Sequence, residues 1–196
     1  MRLVENIEFL EIEHKFVMPD SFDPSGFLSK VRELGPHGES NVLVTDTYYL
    51  CQANPGHIYR HRLDEEIQHL TLKSLTDDPD TRLEVNLDLG HHKGDQGRRV
   101  AAFLEPLGIQ WSGMIEKEVH AYYFPKFEIV YYLANYRDRS VKCIEIEATS
   151  YQSIEEGKNI LLEVEKQLEM NSDERSKESL FHLLLLDDVR KQLGKF

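Results

Sequence analysis

Between residues 7 and 150, hydrophobic and polar positions alternate with a period of two over most of their length, as in strands whose successive side chains point to opposite faces. Over 7–17, Leu10, Ile12, His14 and Phe16 share one face, and Glu11, Glu13 and Lys15 share the other. Over 82–89 the alternation is sharpest, with Leu83, Val85, Leu87 and Leu89 against Arg82, Glu84, Asn86 and Asp88. Further strands are predicted at 42–50, 57–63, 67–75, 114–124, 127–136 and 141–149, the last two joined by the charged turn Arg137-Asp138-Arg139-Ser140.

Two stretches break the alternation with helical spacing. Phe27, Leu28, Val31 and Leu34 mark a helix over 23–34, with Asp23 or Ser25 as its cap and Gly35-Pro36 as its stop. Val100, Phe103, Leu104 and Leu107 mark another over 97–107. From 152 onward the pattern is helical: Ile154, Leu161, Val164 and Leu168 form one stripe, and a helix from Leu180 is read past Asp187-Asp188 to Val189. Eight strands with short connections predict an α+β fold built on a closed, eight-stranded antiparallel barrel. Because charged residues of matched types recur at period two, the barrel is expected to have a polar lumen, with outer helices covering its apolar faces. With no repeat or linker in sight, residues 1–196 are read as a single domain.

Composition narrows the function classes. Hydrophobic residues make up 40% and charged residues 30% of the 196, the balance of a folded water-soluble chain. The longest strongly apolar run, 183–186, is far too short to span a membrane, and Glu5 and Glu8 interrupt any signal-peptide core. Two cysteines, Cys51 and Cys143, make neither a disulfide framework nor a zinc site, so a cytoplasmic location and a filler role are expected. A net charge of −12 counts against nucleic-acid or anionic-membrane partners but leaves room for a small anion held in a local basic pocket.

Glu11-x-Glu13-x-Lys15 aligns two carboxylates and an ammonium on one strand face, and Glu145-Ile146-Glu147 repeats the carboxylate pair. Adjacent carboxylates repel unless a cation lies between them, and Mg²⁺ or Mn²⁺ suits hard oxygen ligands. Arg60 and Arg62 share a face, Lys73 lies on the polar face of the next strand, and Arg82, Glu84 and Lys117 add further charge. Guanidinium forks and lysine point charges both suit phosphate oxygens. Taken singly, each pair reads as ordinary surface ion pairing, which is energetically minor.

The order of the motifs carries more than any one of them. E-x-E-x-K, then Asp46-Thr47-Tyr48-Tyr49, Arg60-x-Arg62, Leu70-Thr71-Leu72-Lys73, Arg82-x-Glu84, a lysine strand at Lys117 and a closing Glu145-Ile146-Glu147 resemble the CYTH superfamily over roughly residues 8–190. These triphosphate tunnel metalloenzymes include class IV adenylate cyclases, thiamine triphosphatases and inorganic tripolyphosphatases. The resemblance implies that Glu11, Glu13, Glu145 and Glu147 hold one or two divalent metals, while Lys15, Arg60, Arg62, Lys73, Arg82 and Lys117 bind the phosphates. Lys73, Arg62 and Glu84 become the candidate catalytic residues.

It also exposes two departures. Val119 stands where the pattern K-x-R expects arginine. An acidic residue expected about ten positions before the final E-x-E falls on Asn135, with Asp138 close by.

Metal-dependent hydrolysis of a small triphosphate is therefore the leading expectation. An adenylate cyclase and a catalytically weakened polyphosphate- or nucleotide-binding module are the alternatives. His14, His61 and His69 are read as packing residues, His91-His92 as a solvated loop, and Tyr122-Tyr123 and Tyr131-Tyr132 as barrel wall. The 183–186 run leaves a homodimer seam open, though core is its commoner use.

Overall fold

The computed structural model describes residues 9–75 and 80–194; the predicted beginning of the first strand at 7, and the acidic residues Glu5 and Glu8, lie outside it. Eight strands close into a barrel: β1 (Leu10–Met18), β2 (Gly38–Cys51), β3 (His57–Leu63), β4 (Gln68–Ser74), β5 (Thr81–Asp88), β6 (Ile109–Tyr123), β7 (Phe127–Tyr136) and β8 (Arg139–Ala148). Their order around the wall is β1-β5-β4-β3-β2-β6-β7-β8, and every pairing is antiparallel. β2 and β6 run longer than predicted, because they pair from Gly38↔Tyr123 to Cys51↔Ile109, well past their alternating cores. The turn between β7 and β8 is tight: Tyr136 pairs with Arg139, and Arg137 adopts φ 55°.

Helices α1 (Pro24–Glu33), α2 (Gly97–Leu104) and α3 (Ile154–Gln167) supply the cover that the apolar outer faces require. α1 and α3 lie over β1, β7 and β8, burying Ile12, Phe16, Ile129, Ile144 and Ile146 against Leu28, Val31, Leu161 and Val164. α2 covers Tyr49, Cys51 and Leu70 with Val100 and Leu104. It ends three residues before the predicted limit, where the chain tightens to a 3-10 turn at Glu105–Leu107 around Pro106, which has no N–H for a helical bond. Asp23 and Ser153 cap α1 and α3 by accepting from the Ser25 and Glu156 backbone N–H groups.

The last two helices do something different. The single C-terminal helix read from the sequence is broken at Leu185 into α4 (Leu180–Leu184) and α5 (Leu186–Leu193). Their apolar side chains meet inward-facing wall residues at one end of the barrel, among them Tyr48, Ile58, Trp111, Tyr132, Tyr136 and Cys143. That end is plugged. Asp188 fastens the plug by accepting from Trp111 Nε1 (3.3 Å) and Tyr136 Oη (2.9 Å). The 183–186 leucines serve this seal, with Leu184 and Leu185 buried. Among the described residues no helix is long and apolar enough to cross a membrane.

Candidate functional site

Closure turns one face of every strand inward, and the strands aim their charged faces there. The lumen holds a cavity of about 220 Å³, and all eleven residues singled out above line it: Glu11, Glu13, Lys15, Arg60, Arg62, Lys73, Arg82, Glu84, Lys117, Glu145 and Glu147. Leu180 and Phe181 form its inner end, and Ser40, Asp64, Glu66 and Tyr123 line the other.

The side of the lumen formed by β2, β3 and β6 gathers cations around one acid. Asp46 is fully buried, accepts from Arg62 Nε at 3.1 Å and meets Lys117 Nζ at 2.6 Å. Burial alone would raise the Asp46 carboxyl, but Arg62 and Lys117 hold it well below the usual carboxylate range. Lys117 is pushed down to about 8 by burial and by the Arg62 charge, which Asp46 only partly offsets. Arg60 donates to Thr71 Oγ1 and Glu84 Oε1, both at 3.3 Å, while its buried Nε has no hydrogen-bond partner.

Around β1, β5 and β8 the two signs interleave. Lys73 bridges Glu11 (2.9 Å) and Glu84, Arg82 reaches Glu13 at 2.8 Å, and Lys15 lies between Glu13 (3.2 Å) and Glu145 (3.0 Å). Burial and the neighbouring Glu84 push Glu11 up to about 8, with Lys73 opposing them. Glu84 moves the opposite way, held ionised by Lys73 and Arg60 against its own burial. Glu145 is held at about 2 despite burial, chiefly by Lys15 and by the Tyr132 hydroxyl that donates to it at 2.7 Å.

One rung lacks this balance. Glu147 on β8 pairs in register with Glu13 on β1 and with Glu128 on β7, so three inward carboxylates lie side by side across three strands. Neither Glu128 nor Glu147 has an ion-pair partner among the described residues. Burial, then Glu11 and Glu128, raise Glu147 well above the usual range. Directly opposed like charges destabilise a sheet unless a proton or a cation separates them. The donor set thus fits a hard divalent cation, although among the described residues no three such side chains converge into a ready-made cage.

Register corrects one sequence expectation and adds residues that the sequence reading missed. Asn135 pairs with Ser140 and Glu116 and lines a shallow depression on the outside, so it takes no part in the lumen. The inward acid of β7 is Glu128. Asp138 is exposed in the hairpin turn. Asp46 was visible only as a member of the Asp46–Tyr49 motif, without a role, and Tyr132 only as barrel wall. Val119 does line the cavity, so this point of the wall carries no charge. His14 and His61 face outward: His14 Nδ1 lies 2.6 Å from Glu165 of α3, and His61 Nε2 lies 3.2 Å from Gln68.

A closed antiparallel tunnel, plugged at one end and lined by alternating acids and bases, defines the class of protein. The chain belongs to the CYTH family, whose model, described as CYTH domain, matches residues 10–179. The fold is shared with PH1012 from Pyrococcus horikoshii OT3, at TM-score 0.66 and 19% identity, covering 89% of this chain and 99% of that one. It is also shared with HpAC1 from Hippeastrum, reported to have a dominant triphosphatase activity (TM-score 0.55, 18% identity, 95% and 97% covered). A third neighbour is the RNA triphosphatase domain of a mimivirus mRNA capping enzyme (TM-score 0.54, 11% identity, 85% and 94% covered). A search of curated protein sequences finds no match.

Proposed function

We infer that the chain hydrolyses the terminal phosphate of a small triphosphate, assisted by Mg²⁺ or Mn²⁺. The observation that carries this reading is the convergence of six cations, Lys15, Arg60, Arg62, Lys73, Arg82 and Lys117, on one buried cavity. Six cations next to carboxylates, with Lys15, Arg60 and Lys117 buried, constitute a preformed polar environment for a polyanion, in a setting where each contact is stronger than in water. The unpartnered Arg60 Nε is a donor available for a phosphate oxygen.

The plug fixes the direction of entry. The terminal phosphate goes deepest, toward Lys15, Lys73 and Arg82, and the remainder of the substrate trails toward Tyr123. Glu84, kept ionised by Lys73 and Arg60, holds those two cations in place. Glu11, Glu13, Glu145 and Glu147, with Glu128, would hold the divalent ion, which supplies charge neutralisation at the phosphoryl oxygens and a more acidic water.

The cavity volume favours hydrolysis over cyclisation. About 220 Å³ lies below the 300–1,000 Å³ common for clefts that enclose drug-sized ligands, which suits a phosphate chain in the lumen with the rest of the substrate at the open mouth. Cyclisation needs the ribose hydroxyl at the α-phosphate, inside the tunnel. Phosphate release from tripolyphosphate, thiamine triphosphate and ATP with Mg²⁺ or Mn²⁺ tests the reading. Orthophosphate release from at least one supports it, and cyclic AMP with pyrophosphate from ATP overturns it. Val119, which removes one donor, favours a second reading as a binding module. Tight tripolyphosphate binding by calorimetry with no phosphate release under either metal would select that module.

A further inference from the structure

In-line displacement at a terminal phosphorus puts the attacking water opposite the leaving oxygen. With the rest of the substrate trailing toward Tyr123, that water lies between the terminal phosphate and the plug. Three plug residues line the cavity there, Ser179, Leu180 and Phe181, and of these only Ser179 carries a hydroxyl. The chain just before it is tied to β1 by the Ser176 N–H, which donates to the Lys15 carbonyl at 2.7 Å. The segment bearing Ser179 is thus held on the strand that supplies Lys15.

Ser179 Oγ lies 2.7 Å from His182 Nδ1, whereas the capping bond that the same oxygen accepts from the His182 backbone N–H is long, at 3.4 Å. A helix cap needs only the second contact. The imidazole meets the Phe181 ring edge-on, with centroids 5.6 Å apart, and His182 is exposed to solvent. The pair therefore joins the lumen to solvent past an apolar plug. Partial burial lowers the imidazole from its ordinary value; Arg82, Arg190 and Lys15 act in the same direction and Glu178 against it. Near neutral pH such a ring is free to accept a proton.

We propose that Ser179 holds the attacking water and that His182, acting through it, is the proton acceptor for hydrolysis. The water oxygen bonds to the terminal phosphorus while the bridging P–O bond breaks and its electron pair leaves with the diphosphate portion. The water proton passes to Ser179 Oγ as the Ser179 proton passes to His182 Nδ1, and the imidazolium returns a proton to solvent from Nε2. The assignment rests on the hydrolase reading above and deepens it by naming the groups that take the proton.

The test follows orthophosphate release with Mg²⁺ or Mn²⁺ from whichever of tripolyphosphate, thiamine triphosphate and ATP the parent chain hydrolyses fastest. His182→Ala is expected to lower kcat about a hundredfold with KM within about twofold, because the proton moves only in the transition state. Added imidazole is expected to raise the kcat of this variant about tenfold, which repair of a helix cap would not do. Ser179→Ala removes the hydroxyl and the cap together, so Ser179→Thr, which keeps both, is its companion. The alanine variant is expected to fall with His182→Ala, and the threonine variant to stay within about threefold of the parent. Turnover of His182→Ala within about threefold of the parent, or a slow variant indifferent to imidazole, would overturn the relay and leave the hydrolase reading standing. No orthophosphate from the parent with any of the three would remove both.

Discussion

Lys73 and Lys117 carry the same formal charge in the same cavity, yet their surroundings set them apart. Lys73 lies between Glu11 and Glu84, which more than offset its burial and raise it above its ordinary value. Lys117 shares Asp46 with Arg62, so half of its compensation is already taken. Its value in the fold, about 8, lies below the 10.5 of an unfolded chain. Protonation there therefore works against the fold: the cost is full below pH 8 and fades as pH rises toward 10.5. Bound phosphate favours the protonated form, so tripolyphosphate binding at pH 9 should take up a proton, and affinity should fall as pH rises through 8. Calorimetry in buffers of different ionisation enthalpy measures that uptake; heats independent of buffer would refute it. Arg62→Ala and Lys73→Ala each remove a donor aimed at the phosphates. Turnover should drop by about 10²–10³ with the circular dichroism unchanged, and near-normal rates in both would contradict the assignment.

β1 shows how one element serves two functions through its period of two. Its odd residues Glu11, Glu13 and Lys15 face the lumen, while Ile12, His14 and Phe16 are locked to the helices outside. α3 approaches so closely that a Cβ at Gly157 would lie 2.6 Å from Ile12 Cδ1, which explains a glycine inside a helix. Beside it, Glu165 is 1% exposed and accepts from both Arg175 nitrogens at 2.6–2.7 Å, with His14 at 2.6 Å. The Ser176 backbone N–H donates to the Lys15 carbonyl at 2.7 Å, tying the segment that leads to the plug onto β1. Removing one partner of a buried pair leaves the others uncompensated, so Glu165→Ala should cost about 3 kcal/mol in urea unfolding. A loss under about 1 kcal/mol would show the network to be incidental. Hydrogen bonds and nearby cations hold the Glu165 carboxyl below its ordinary value, so its contribution is present above about pH 4.5 and vanishes on further acidification. β1 and β5 were legible because alternation is a local property. The inward acid of β7 was not legible by counting residues. A two-residue turn pairs every odd residue of β8 with an even residue of β7, so Glu128 faces Glu147 and Asn135 faces out.

At the scale of the whole molecule, closure brings β1 and β8 together across most of the sequence and sets the Glu13–Glu147–Glu128 rung facing the lumen. Such a rung is relieved by a proton or by a cation, so a divalent cation should stabilise the protein by itself. At a hundred times its Kd the gain is about 2.7 kcal/mol. Millimolar Mn²⁺ or Mg²⁺ should raise the Tm, and a chelator should return it to the starting value; a Tm that ignores both ions would argue against this site. By itself the sequence determined the strands, the helices and the separation of charged from apolar faces, since these depend on residues two to four positions apart. It also put eleven lumen side chains within reach of a reading based on motif order. Only the tertiary structure decided which acids meet which bases, that Glu128 completes the acidic rung, and that the last helices seal one end. Those outcomes depend on register and closure, which bring together residues far apart in the chain, from Arg60 with Glu84 to Lys15 with Glu145.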